Sequence, residues 1–404
     1  MSIGLRWRTI AALGAAQTLA WASSYYLPAM LAAPMARELG MSVPTVFAAF
    51  SVALIVSALL GPWSGRSIDR WGGRPVLLAT NLVFAVGLGL LAMAQGTVGV
   101  FAAWVVIGVA MSSGLYEAAF AALVRLYGRD SRNAITGITL VAGFASTVGW
   151  PLTTLFEAQF GWRGACLAWA ALHLVLGLPL NALLPKVALA TLHGVPPADA
   201  GGPEDEARPD ATRAAVLLAF VFAVTWFIST AMAAHLPRLL QAGGASLAAA
   251  VAIGALVGPA QVGGRLLEVG ILRRVHPLLS ARLAALMHPV GAGALLVVGA
   301  PAAALFAVFH GAGNGILTIA KGTLPLVLFG PSGYGHRQGL LMVPARLAQA
   351  LAPWVFGMLL DRFGAGSLWV TAALGMMALV ALLLLPRLDA SVQASDETGA
   401  HPTS

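Results

Sequence analysis

From residue 9 onward the chain alternates between long apolar runs and short polar stretches. Runs lie at 9–33, 46–65, 75–95, 98–126, 133–157 and 162–185, and again at 214–237, 247–267, 277–299, 301–327, 339–360 and 367–385. At 1.5 Å per residue, about twenty residues of helix cross a hydrocarbon layer of ~30 Å. Backbone groups in lipid must bond within their own segment, so each run is expected as a helix and none as an open strand. The pattern predicts an all-α integral membrane protein with twelve transmembrane helices.

Between the sixth and seventh runs lies Lys186–Arg213, which contains VPPADAGGPEDEARPDATR. Its Pro, Gly and acidic content predicts a flexible, hydrated linker. The chain is then expected to divide into a six-helix bundle over 1–185, a cytoplasmic linker over 186–213, a second bundle over 214–385 and a polar, disordered tail over 386–404. An offset of 203 residues pairs Pro34 with Pro237, Gly40 with Gly243, Gly61 with Gly264, Arg70 with Arg273, Gly108 with Gly311, Phe160 with Phe363 and Gly161 with Gly364. One ungapped offset placing these matches at corresponding points of both halves reads as an internal repeat.

Composition and charge sharpen the class. The 404 residues are 59% hydrophobic and 9% charged, against about a quarter charged in soluble domains. The net charge of +8 does not imply nucleic acid, because it is one-sided. With the N-terminus inside, 17 of the 23 Lys and Arg fall on inner stretches, including Arg265, while Arg37, Arg163, Arg238 and Arg362 fall outside. That asymmetry predicts a plasma (bacterial inner) membrane protein with both termini cytoplasmic. The lone Cys166 excludes an internal disulfide and a multi-cysteine metal site.

One polar stretch stands apart. Gly61–Leu77 reads GPWSGRSIDRWGGRPVL and puts Arg66, Asp69, Arg70 and Arg74 into nine residues between two apolar runs. Gly65, Asp69, Arg70, Gly72 and Arg74 resemble the loop between helices 2 and 3 of the major facilitator superfamily, with Gly73 where a base is usual. The resemblance implies two parallel six-helix halves, a cavity lined by helices 1, 4, 7 and 10, and a gating role for this loop. It also implies that Asp69 sits against the start of helix 11, at about Gly339–Met342.

An ionisable side chain inside a spanning helix is costly and marks function by default. Glu117, Lys321 and Arg346 are such residues, each expected slightly inside the midplane. Glu117 maps one residue before Lys321 under the repeat, and the resemblance, which puts helices 4 and 10 on the cavity, implies that the two face one another across it. His310, Asn314, Thr318 and Lys321 form a stripe on helix 10, and Gln17, Trp21, Ser24, Tyr25 and Pro28 form one on helix 1. Each stripe reads either as the lining of an aqueous path or as polar glue between helices. Lys321 with Glu117 reads either as a substrate site or as a permanent bridge, and Arg346 either as a carboxylate fork or as a base snorkelling to the inner face.

Two cations against one acid favour an anionic substrate. The expectation is a secondary active transporter moving a small organic anion by alternating access. Glu117, Lys321, Arg346, Asn314, His310 and Tyr25 are expected to bind it, and Gly65, Asp69, Arg70, Gly72 and Arg74 to gate. The alternative is an efflux pump for apolar or cationic compounds, with Glu117 as the cation site. No nucleotide, HExxH or nucleophile-elbow motif occurs, so no enzyme activity, cofactor or metal is expected. The expected partners are a small molecule, a coupling proton and the lipid bilayer, with the protein a monomer.

Overall fold

Each apolar run closes its hydrogen bonds within itself, as a chain in hydrocarbon must. The computed structural model describes residues 3–185 and 209–385, and every element among them is helical. The first half holds α1 (Ile3–Ser23), α2 (Leu27–Leu39), α3 (Val43–Trp71), α4 (Gly73–Met93), α5 (Thr97–Gly114), α6 (Tyr116–Tyr127), α7 (Arg132–Ala142), α8 (Ala145–Leu172) and α9 (Leu178–Ala182). The second holds α10 (Pro209–Ala242), α11 (Leu247–Gly254), α12 (Val257–Gly270), α13 (Pro277–Val298), α14 (Ala303–Phe329), α15 (Tyr334–Phe363) and α16 (Leu368–Leu383). Most of the expected linker, 186–208, and the expected tail, 386–404, lie outside the described residues.

These elements make twelve crossings. α1 with α2, α5 with α6, and α11 with α12 each form one interrupted crossing. α8 runs through the turn between the fifth and sixth, where Gly161 adopts φ 68° and ψ 174°. Its repeat mate Gly364 also has positive φ, 54°, at the turn between the eleventh and twelfth. The first crossing breaks at Ser24–Tyr26 because Pro28 removes an amide and its ring opposes the carbonyl four residues back. The hydroxyls of Ser23 and Ser24 bond to the Leu19 and Ala20 carbonyls, which favours a bend there. The fourth crossing breaks at Leu115, which is extended (φ −94°, ψ −170°).

Buried apolar side chains form two clusters, one from Ile10 to Leu184 joined by Leu326, Tyr334 and Ala350 of the second half, and one from Ala214 to Leu385; Trp226 packs against both. Large apolar side chains such as Val86, Val175 and Trp354 are exposed, as the lipid-facing surface of such a bundle requires.

The repeat shows in packing. A Cβ on Gly108 of α5 would lie 2.6 Å from the Ala53 carbonyl oxygen of α3, and one on Gly311 of α14 would lie 2.6 Å from the Val257 carbonyl oxygen of α12. Both glycines therefore let the fourth crossing of their half approach the second through backbone. Gly108→Leu and Gly311→Leu are each expected to lower the thermal unfolding midpoint in detergent, at about 1–3 kcal/mol of overpacking. Gly89→Leu is expected to leave it unchanged, because nothing lies within 4 Å of a Cβ there.

Candidate functional site

The break at Leu115 starts a new helix, and Glu117 falls in its first turn, where the helix dipole favours an acid. The break strands the Gly114 carbonyl, and Gln17 Nε2 of α1 donates to it at 2.7 Å. From α15, Arg346 Nη2 donates to both Glu117 oxygens, at 3.0 and 2.9 Å, and its Nη1 donates to Gln349 Oε1 at 3.0 Å. Gln349 Nε2 donates in turn to the Tyr25 hydroxyl at 2.9 Å. Glu117, Arg346 and Tyr25 thus form one chain between the halves, with Gln349 as its link. Arg346 is 3% exposed and turned inward, not snorkelling.

Lys321 does not take Glu117 as its hydrogen-bonded partner. Its ammonium lies 4.1 Å above the ring of Trp226 on α10, and the Arg346 guanidinium lies 5.4 Å from that ring. Arg346 is the cation that holds both carboxylate oxygens. Lys321 Nζ is buried without a hydrogen-bond acceptor. Asn314 lies half-buried about two turns earlier on α14. His310 stands about 16 Å from Lys321 along the helix. There α13 is its neighbour, and the His310 and His288 Nδ1 atoms meet at 3.0 Å. It does not join the cluster.

Sequence reasoning counted Arg265 among the loop bases. It is instead buried in α12, 6% exposed, with Nε and Nη1 lacking acceptors. Its guanidinium reaches across to Gly143, where any side chain would collide with it, and it lies within electrostatic range of Lys321, Tyr26 and Tyr116. The available signal was its place eighteen residues into an apolar run, at the inner end of that run. The centre therefore holds three buried cations, Arg265, Lys321 and Arg346, around the acid Glu117.

One face of the bundle carries the start of α1, the α3–α4 loop and the α6–α7 and α14–α15 turns; it is the basic face. Arg6 there donates to the Asp130 carbonyl. α3 and α15 meet on this side through glycine. A Cβ on Gly65 would strike the Gly335 carbonyl, and one on Gly339 would lie 2.6 Å from the Gly61 carbonyl oxygen. Asp69 closes the seam: its two oxygens accept from the Gly335 and His336 amides at 3.0 and 2.8 Å. The contact falls a turn before Gly339–Met342 because α15 begins at Tyr334, and only first-turn amides are unbonded within the helix.

Around it, Arg125 donates to the Asp69 carbonyl, Arg66 Nε donates to His336 Nδ1 at 3.1 Å, and Arg70 lies 5.8 Å over the ring of Trp71. Gly72 reverses the chain with φ 87°, and Arg74 follows it half-buried in the first turn of α4. Gly73 departs from the family pattern for a steric reason, since a side chain there would hit Ala122. A second latch on the same face joins α7 to α12 and the turn after it, through Arg132 and Glu268 at 3.1 Å and Arg132 to the Val275 carbonyl at 3.3 Å.

The opposite face is organised differently. Arg163 bridges Glu38 at 2.8 Å, with the Trp162 indole also donating at 2.6 Å, and together they hold that carboxyl below its usual range. Arg238 bridges Asp361 at 2.8 Å. Each of these pairs stays within one half. The described hydrogen bonds between halves gather at the basic face and the centre, apart from a long 3.5 Å contact from Ser51 to the Ala350 carbonyl.

Comparison with known proteins agrees with this architecture. Residues 13–320 match the Major Facilitator Superfamily. An uncharacterized 38 kDa protein in the 23S RNA operon of Thermoproteus tenax is 28% identical over 361 residues, covering 89% of this chain and 90% of that protein. Monocarboxylate transporter 11 of Mus musculus is 28% identical over 169 residues, 38% of this chain and 37% of that one. The crystal structure of the human organic anion transporter MFSD10 (TETRAN) superposes with a TM-score of 0.69 at 17% identity, over 96% of this chain and 100% of that one. The proton:xylose symporter XylE, bound to 6-bromo-6-deoxy-D-glucose, superposes with a TM-score of 0.73 at 15% identity, over 96% and 97%. With its motif loop at the start of α15, its paired halves and a family match over most of its length, the chain belongs to the Major Facilitator Superfamily and is a membrane transporter, not an enzyme.

Proposed function

We propose that this transporter carries a small organic anion by alternating access, with its basic face and both termini on the cytoplasmic side of a plasma (bacterial inner) membrane. The halves 1–185 and 214–385 rock about the central cluster. The observation that supports this reading is the charge of the centre. Glu117 is engaged by Arg346, which leaves Lys321 Nζ and Arg265 Nε and Nη1 buried without acceptors. A buried cation is tolerated only when paired, and an acidic substrate supplies the missing partner. The fold does not choose the substrate, since the same architecture serves a xylose symporter. The name of the mouse relative, a monocarboxylate transporter, accords with an acid.

In this mechanism the acid enters from the face where the halves are unpinned and meets Lys321 and Arg265. Arg346 then divides its hydrogen bonds between substrate and Glu117, and a co-transported proton neutralises Glu117 as it is released. Tyr25 and Asn314 supply neutral polar contacts. Asp69, with Gly65, Arg70, Gly72 and Arg74 around it, holds the cytoplasmic side shut until the loaded centre rearranges. The alternative, a cation carried on Glu117, requires displacing Arg346 from both oxygens and adds a fourth positive charge to the centre.

Thermal stabilisation of the purified protein by a panel of organic acids, sugars and cationic drugs tests the proposal, because a ligand of the native state raises the melting point by mass action. Acids are expected to stabilise the wild type. Lys321→Ala is expected to weaken them at least about tenfold, the scale of a lost charged hydrogen bond. Stabilisation by cations alone overturns the anion site. For the gate, Asp69→Asn keeps one acceptor where two amides now bond. It should weaken closure by about 1 kcal/mol or more, a roughly fivefold shift, and slow transport in liposomes while expression holds. Wild-type transport by this variant removes Asp69 from the gate.

A further inference from the structure

The cations at the centre stand inside a set of aromatic rings. Trp21 of α1 and Trp226 of α10 lie with planes 5° apart and centroids 6.4 Å apart. Among the described residues theirs is the one ring contact that crosses between the halves. Trp21 also meets Tyr25 edge-on at 5.1 Å and Tyr116 at 4.9 Å, and Tyr116 stacks on Phe120 at 5.5 Å. Tyr26 lies 6.3 Å from Trp21. Both indole nitrogens are buried without an acceptor, like Lys321 Nζ and the two Arg265 nitrogens. The orphaned atoms on these four side chains are all donors. Their natural complement is an acceptor that donates nothing, which describes a carboxylate, attached to a body that suits aromatic walls.

Taking the substrate to be an organic anion, as proposed above, we infer that it is an aromatic carboxylate whose flat ring seats between Trp21 and Trp226 while its acid group takes the donors of Lys321 and Arg265. Two parallel planes sandwich a third ring when they stand about 7 Å apart, two contact distances of ~3.5 Å. The Trp21–Trp226 planes are already parallel, and they belong to different halves that are latched at the basic face and unpinned at the other. A small parting of the halves opens the gap. The ammonium of Lys321, now resting against the face of Trp226, turns from ring to carboxylate. The ring then touches one tryptophan of each half, so a single rigid body reports binding to both. A saturated ring of the same size carries the same charge but is thicker and lacks a π face, and it forfeits both stacking contacts.

The test uses the purified full-length protein and three probes, with affinity read by isothermal titration: benzoate, cyclohexanecarboxylate and neutral benzamide. Benzoate is expected to bind about tenfold more tightly than cyclohexanecarboxylate, the scale of two aromatic contacts, and benzamide more weakly still. Equal binding of the two acids, both above benzamide, leaves the anion reading standing and overturns the aromatic one. Benzamide binding as well as benzoate overturns the anion reading instead. Trp226→Leu is expected to bring the benzoate-to-cyclohexanecarboxylate ratio near one, and Trp226→Phe, which keeps a ring, to preserve it. If Trp226 only packs the seam, either variant weakens both acids together and the ratio stays put, which overturns the seat.

Discussion

The interaction on which the centre depends is the ion pair between Arg346 and Glu117. It joins α15 of the second half to α6 of the first, with Arg346 buried, Glu117 partly buried and a single guanidinium nitrogen on both carboxylate oxygens. Buried pairs bring little net stability, yet removing one partner strands a charge at a cost of about 3–5 kcal/mol. Much else follows from that asymmetry. Glu117 needs the break at Leu115 to stand at a helix start. Gln349 and Tyr25 are ordered by the other arm of Arg346. With the acid so engaged, Lys321 and Arg265 remain as cations without a hydrogen-bonded acid, and the character of the centre is set.

Around this pair the two faces are unlike. On the basic face, glycine contact, the Asp69 helix cap and the Arg132–Glu268 bridge tie half to half. On the other, the ion pairs are exposed and tie each half to itself. Each bundle can then move as a unit with its far-side ion pairs intact, while the bonds that must break are gathered at one end. Most of the apolar core is confined to one half or the other, and only Leu326, Tyr334 and Ala350 of the second half join the first half's cluster, with Trp226 packed against both.

What the sequence revealed and what it withheld divide along a physical line. Crossing positions were legible because hydrocarbon thickness forces a minimum apolar length. The repeat was legible at Gly108 and Gly311 because close backbone approach admits only glycine. Asp69 was legible because its loop is a charged exception in an apolar chain, although the contact fell one turn early. The partner of Glu117 was not: counting residues gives depth, while rotation about each helix axis is decided by packing. His310 shows the same limit, lying on the expected stripe but at a height where α13 is the neighbour. Arg265 was misplaced because a base near the inner end of an apolar run looks the same whether it points to water or inward. Trp226 gave no signal in a chain with 11 tryptophans.

The α3–α15 seam is built from Gly61, Gly65, Gly335 and Gly339, and main chain lies directly on main chain. Interlocked side chains would have to be withdrawn from their sockets and repacked each time the surfaces part. Bare backbone has no sockets, so the two helices can tilt or slide over one another with little resistance and meet again in the same register. Resistance to parting along this seam is then concentrated in the polar groups that flank it, such as Asp69 on the Gly335 and His336 amides.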